Sequence, residues 1–227
     1  KLREGVKFHS SDNFTPTRNF NADDVIFSFD RMGNKENPWH EYTSGVSYEY
    51  FDSMEMGSLI KEIQKIDDNT VKFILTRPEA AFLANISMPF ASIISKEYTD
   101  KLAADGKQSD LNQFPVGTGP FQFVAYQKDA VVRFKANPDY WGAKPKIDDL
   151  VFAITTDPAV RAQKLKAGEC HLMSYPAPAD IKGLQGDSNL KVDEQAGLNV
   201  AYFAYNTTVA PFDKPEMRKA HHQDVDR

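Results

Sequence analysis

The spacing of apolar residues switches between two periods along the chain, and neither period lasts long enough to build a fold from one kind of element. Val25, Ile26, Phe29 and Met32 recur at helical spacing, after Asn21-Ala22-Asp23-Asp24 has supplied a capping side chain and two acids for a first turn. Val71, Phe73 and Leu75 instead alternate with polar residues, as on a half-buried strand, and follow the turn-forming Asp67-Asp68-Asn69. The switching continues. Pro78-Glu79-Ala80-Ala81-Phe82-Leu83 reads as a short helix opened by proline, and Ser95-Lys96-Glu97-Tyr98 opens another. Phe121, Phe123 and Ala125, then Val132, Phe134 and Ala136, flank Lys128-Asp129 as a β-hairpin. Leu150–Ile154 is an apolar strand. Asp157 and Pro158 start a helix over 158–167 that Gly168 ends. Cys170–Met173 reads as a short strand, Ala179–Leu184 as one or two helical turns, and Asn199–Tyr205 as an aromatic strand. The expectation is an α/β or α+β chain with mixed sheets.

A length of 227 residues fits one large domain or two small ones and can bury a sizeable core without a metal or disulfide staple. Two polar or proline-rich seams, Lys107–Pro120 and the stretch after Asn206, are candidate boundaries, and the first is expected to separate two units. The balance of 27 basic against 32 acidic residues, net −5, argues against gripping a phosphate backbone, so no nucleic-acid partner is expected. No apolar run approaches the roughly 20 residues of a membrane span. The chain begins Lys1-Leu2-Arg3 without an initiator Met or a signal core, as an internal piece of a longer protein would. Cys170 is the only cysteine, readable as a buried thiol or as half of a bridge to a residue outside this chain.

No catalytic constellation emerges. Gly117-Thr118-Gly119-Pro120 lacks the Lys and Ser/Thr that complete a phosphate loop and is read as a turn. The pairs Asp23-Asp24, Asp67-Asp68 and Asp148-Asp149 sit where Asp bonds locally to backbone. His221-His222 with Asp224 and Asp226 form a polar terminal run rather than a metal site, because adjacent histidines on a helix point apart; His9, His40 and His171 are scattered. No metal, cofactor or catalytic residue is expected. Two aromatic clusters remain: Gly45-Val46-Ser47-Tyr48-Glu49-Tyr50-Phe51, and Tyr202, Phe203 and Tyr205. Tyrosines beside flexible backbone suit either a small-ligand surface or ordinary core packing with locally capped hydroxyls.

Several of these motifs occur together in one family. Leu2-Arg3-Glu4-Gly5-Val6-Lys7-Phe8-His9, then Asn21–Arg31, Val116–Phe121, Asn137-Pro138-Asp139-Tyr140-Trp141-Gly142, Gly197–Val200 and Tyr205-Asn206 follow in order along almost the whole chain. The pattern resembles the family 5 extracytoplasmic solute-binding proteins of ABC importers. Arg77-Pro78-Glu79-Ala80 and Ser47–Phe51 are similar to its dipeptide-binding branch and to a sister branch described as haem-binding and linked to glutathione.

The resemblance implies a periplasmic-binding-protein-like fold, α/β, in which two lobes close on ligand like a flytrap. Residues 1–115 would be most of an extra domain of the first lobe, 116–197 part of its main domain, 198–206 a hinge strand and 207–227 the start of the second lobe. It further implies a non-catalytic binding component that delivers a dipeptide or small peptide-like ligand, glutathione included, to a membrane permease. A haem carrier and a hydrolase are the alternatives. The location implied is periplasmic, with or without a lipid anchor, and the full-length form is expected to be a monomer. Gly45, Ser47, Tyr48 and Tyr202 are the ligand-binding candidates, and Cys170 falls where the dipeptide branch has half of a disulfide, its partner lying before Lys1. After Met217-Arg218-Lys219-Ala220 the polar run from His221 departs from the family's amphipathic helix, as a truncated or altered terminus would.

Overall fold

The computed structural model describes residues 1–41, 48–197 and 200–223. These form two compact units, Lys1–Thr156 and Asp157–Arg227. The first unit runs α1 (Ala22–Gly33), α2 (Glu49–Ser53), α3 (Met56–Leu59), β1 (Ile60–Asp67), β2 (Thr70–Leu75), α4 (Phe82–Asn85), a 3-10 turn at Pro89–Ala91, α5 (Lys96–Ala104), α6 (Asp110–Gln113), β3 (Phe121–Gln127), β4 (Val131–Ala136) and β5 (Asp149–Ala153). The second unit contains α7 (Pro158–Lys166), α8 (Pro178–Gln185) and α9 (Pro215–Gln223).

Helix α1 is the organising element. Asn21 accepts from the Asp23 amide, and the N3 residue Asp24 reaches back to the Asn21 amide, so two backbone donors are satisfied reciprocally. Asp24 is fully buried and binds two further segments. Its carboxylate takes a bidentate pair from Arg18 at 2.7 and 2.8 Å and the Lys96 amide at 2.8 Å. One side chain thus ties the entry segment, α1 and the start of α5. The carboxylate in turn holds the Arg18 guanidinium above its ordinary pKa, with burial opposing it.

Two apolar clusters pack on opposite sides of α1. Phe27 joins Phe8, Phe14, Trp39, Tyr98, Leu102, Leu111 and Val116; Val25, Phe29 and Met32 join Phe51, Met56, Leu59, Phe82 and Ala91. The second cluster is roofed by β1 and β2, an antiparallel pair with register shifts between Ile60 and Glu62 and between Lys65 and Asp67. A separate antiparallel sheet has the order β3-β4-β5, and its Phe123, Phe134 and Phe152 rings stack edge to face across the three strands at 5.9 Å.

The expected hairpin, the Leu150–Ile154 strand and the helices at 22, 96, 158 and 179 are present within one or two residues. Gly168 ends α7 at φ +74°, with Gly168 N–H donating to Leu165 O and Glu169 N–H to Lys164 O, a Schellman cap. Four readings differ from the structure. Pro78 does not open a helix: Glu79 takes the Ala81 and Phe82 amides in a turn, and α4 starts at Phe82. Cys170–Met173 carries no strand. Described residues 200–205 of the expected hinge strand carry none either, because ladder partners for both segments are absent among the described residues. Residues 107–120 lie inside the first unit, and the division falls after Thr156.

Candidate functional site

Tyr48 precedes α2 as its N-cap residue and is half-buried. Its hydroxyl lies 3.2 Å from the carbonyl of Trp39 and 3.2 Å from that of His40, to which it donates. The ring packs 5.5 Å from the His40 ring, and the Arg31 guanidinium stands 5.4 Å from its centre, within cation–π range. Tyr48 is therefore locally anchored, with a partly exposed, cation-flanked ring. Gly45 and Ser47 lie outside the described residues. Tyr202 belongs to the second unit and is 81% exposed, beside the exposed Val200 and Phe203. In the same unit Phe203, Tyr205, Phe212 and His221 form an aromatic group, with Tyr205 Oη 3.2 Å from His221 Nδ1.

Cavities open on the first unit, and three among the described residues bear on a ligand site. A polar cleft of about 600 Å³ is lined by Lys7, Arg18, Lys135, Gln122, Asn137 and Asp139, among others. Most of its polar groups already have protein partners. Arg18 holds Asp24, Lys7 faces Asp139 at 3.6 Å, and Gln122 donates to Asn137. A smaller cavity of about 220 Å³ has Phe29, Phe51, Ile60 and Ile63 as an apolar floor. Gly33 and Gly57 flank the Phe51 ring there, and a Cβ on either would stand at ordinary contact distance from it, 3.4–3.5 Å. The third, about 400 Å³, lies between Phe20, Ser92, Ile93 and the Gly117–Gly119 turn.

That turn is held by a residue the sequence reading passed over. His9 is buried at 7% exposure; its amide donates to Gly117 O at 2.8 Å and its Nε2 lies 2.9 Å from Gly119 O. Gly117 N–H in turn approaches His9 Nδ1 at 3.4 Å. This pattern fits the neutral Nε2–H tautomer. Burial lowers the imidazole pKa, partly offset by the Gly119 carbonyl. From the other side Asn137 Nδ2 donates to Gly119 O at 3.0 Å and Trp141 Nε1 to Thr118 O at 3.1 Å. No spacing rule flags a lone histidine; only its place beside Gly-Thr-Gly in the fold does.

Among the described residues there is no group of three His, Cys, Asp or Glu able to hold a metal, and no helix is long and apolar enough to cross a membrane. Cys170 is a free, half-buried thiol.

The chain is mixed α/β, with clefts and exposed aromatic side chains. The description "Bacterial extracellular solute-binding proteins, family 5 Middle" matches residues 1–227, and the chain belongs to that family. It is 53% identical over 219 residues to the dipeptide-binding protein of Escherichia coli, covering 96% of this chain and 41% of that protein. It is 45% identical over 226 residues to heme-binding protein A of Haemophilus influenzae, covering 100% of this chain and 41% of that one. A crystal structure of the dipeptide-binding protein from Pseudoalteromonas sp. SM9913 with Met-Leu superposes with a TM-score of 0.88 at 40% identity, over 96% of this chain and 43% of that one. The chain thus has the fold of these solute-binding proteins and spans about two fifths of their length.

Proposed function

We propose that this chain is part of the substrate-binding component of an ABC importer that captures a dipeptide or small peptide-like ligand and delivers it to a membrane permease. The observation that carries the reading is the 53% identity to a dipeptide-binding protein over nearly the whole chain. The solved Met-Leu complex of the same fold supports it. The role is capture without catalysis, outside the cytoplasm, as a monomer in the full-length form.

In this reading residues 1–115 and 116–197 form the extra and main domains of one lobe, 198–206 crosses to the second lobe and 207–227 begins it. Gly45, Ser47, Tyr48 and Tyr202 face the ligand. Tyr48 offers its ring, since its hydroxyl is engaged with Trp39 and His40. Cys170 pairs with a cysteine before Lys1. Calorimetry of the full-length protein with dipeptides and glutathione is the test: micromolar or tighter binding of a dipeptide is expected, and its absence would overturn the proposal. A haem carrier is the second reading, favoured by the 45% identity to a heme-binding protein over the whole chain. A haemin absorbance titration separates it, because axial ligation changes the Soret band.

A further inference from the structure

We infer that His9 is an acid-sensitive latch that fastens the Gly117–Pro120 turn, and with it the start of β3, to the N-terminal segment. The geometry carries this. Three contacts join residue 9 to residues 117 and 119 across 108–110 positions: two backbone-linked bonds at 2.8 and 2.9 Å and the longer Gly117 N–H to Nδ1 at 3.4 Å. The ring acts in them as donor at Nε2 and acceptor at Nδ1, a division open only to neutral imidazole. A proton on Nδ1 would point one N–H at another and place a charge in a buried site. The Gly117 N–H to Nδ1 contact would then be lost, while the His9 amide bond to Gly117 O, the Nε2–H bond to Gly119 O and the contacts from Asn137 and Trp141 remain.

The elements around His9 carry other titratable groups, but each is engaged elsewhere or set apart. Lys7 on the same segment faces Asp139 from the loop after β4. Arg18 is bound to Asp24. Tyr98 of α5 donates its hydroxyl to Phe114 O, and Asp110 of α6 acts on Tyr98. The ring's protonation is governed by burial and by the Gly119 carbonyl rather than by any of them. Because the native ring takes up its proton less readily than an unfolded one, the latch is fully closed above the unfolded value of about 6.5 and weakens as pH falls below it. The loosened turn also forms one wall of the cavity bounded by Phe20, Ser92 and Ile93, so acid would unsettle that wall first.

The test is hydrogen–deuterium exchange of the whole chain between pH 7.5 and 5.0, corrected for intrinsic exchange rates. Opening at the Gly117 amide should rise by up to about tenfold per pH unit below about 6.5, the limit for one linked proton. Flat, pH-independent protection there would overturn the inference. His9→Gln, which keeps a donor and an acceptor without titrating, should abolish the pH dependence; if it persists in that variant, His9 is not the latch. Should His9→Gln fail to fold, nitrogen NMR of the His9 ring in the unaltered chain decides. A neutral Nε2–H tautomer titrating below the unfolded value is expected, and an Nδ1–H tautomer or an ordinary titration refutes the latch.

Discussion

Replacing Asp24 by Asn should strongly destabilise the first unit. The side chain is fully buried, and its two oxygens receive four hydrogen bonds: Oδ2 from Arg18 and the Asn21 amide, Oδ1 from Arg18 and the Lys96 amide. Whichever way the new amide turns, its NH2 faces two donors, so two charge-assisted bonds are lost. At about 1.5–3 kcal/mol for each bond to a charged group, the sum is about 3–6 kcal/mol. Breaking a buried ion pair by removing one partner independently gives about 3–5 kcal/mol, so about 4 kcal/mol is the working figure. That is a large share of a total stability of about 5–15 kcal/mol. Urea unfolding followed by tryptophan emission is the assay, since both Trp39 and Trp141 lie in the first unit and Trp39 is buried. At a slope of about 1–3 kcal/mol per molar, the midpoint should fall by roughly 1.3–4 M. Asn21→Ala, which removes only the cap, should cost about 1 kcal/mol. A double replacement of Arg18 and Asp24 by apolar residues should not restore stability, because the Asn21 and Lys96 amides would stay unpaired. An Asp24→Asn loss under about 1 kcal/mol at unchanged slope would refute the claim that this carboxylate is the tie between the three segments.

Phe51→Ala should cost about 3–5 kcal/mol in the same assay, because the ring is buried between Gly33 and Gly57 and neither can grow into the space. Gly168→Ala should cost about 1 kcal/mol through its left-handed backbone at φ +74°, seen as a lower thermal midpoint of the second unit. Tyr48→Phe should preserve ligand affinity of the full-length protein, while Tyr48→Ala should weaken it by roughly 1–3 kcal/mol; equal affinities by calorimetry would remove the ring from the site. Cys170 of this chain should react as one thiol per molecule with a disulfide reagent. In denatured, unreduced full-length protein it should not react, and labelling there would defeat the bridge.

The elements legible in the sequence are those whose local chemistry agrees with their packing. Asn21 caps α1, Asp157 and Gly168 bracket α7, and Lys128-Asp129 turns the β3–β4 hairpin. Strand β1 was not legible. Its register shift between Ile60 and Glu62 puts the half-buried Ile60 and Ile63 three residues apart, which erases the alternation by which a strand is recognised. Residues 170–173 and 200–205 show the reverse case, a strand-like pattern without a ladder among the described residues. For the candidate site, composition pointed to Tyr48 but could not reveal that Trp39 and His40 occupy its hydroxyl. The long-range roles of His9 and Asp24 were hidden for a related reason: the Gly119 carbonyl and the Lys96 amide that they bind lie 110 and 72 positions away, outside any local window.

Those long separations also order events in time. The segment carrying Val6, Phe8 and His9 is held early by Phe20 N–H to Val6 O, but it cannot take up its bonds to the turn until Gly119 has emerged, 110 residues later. At a synthesis rate of about 5–20 residues per second, that wait is on the order of 5–20 s. Loops close in well under a millisecond, so the interval is set by delivery of the chain rather than by its own motion. During it two side chains destined for burial, Val6 and Phe8, remain without the turn that secures them. The packing of the beginning of this chain is therefore completed only when the middle of its first unit has been made.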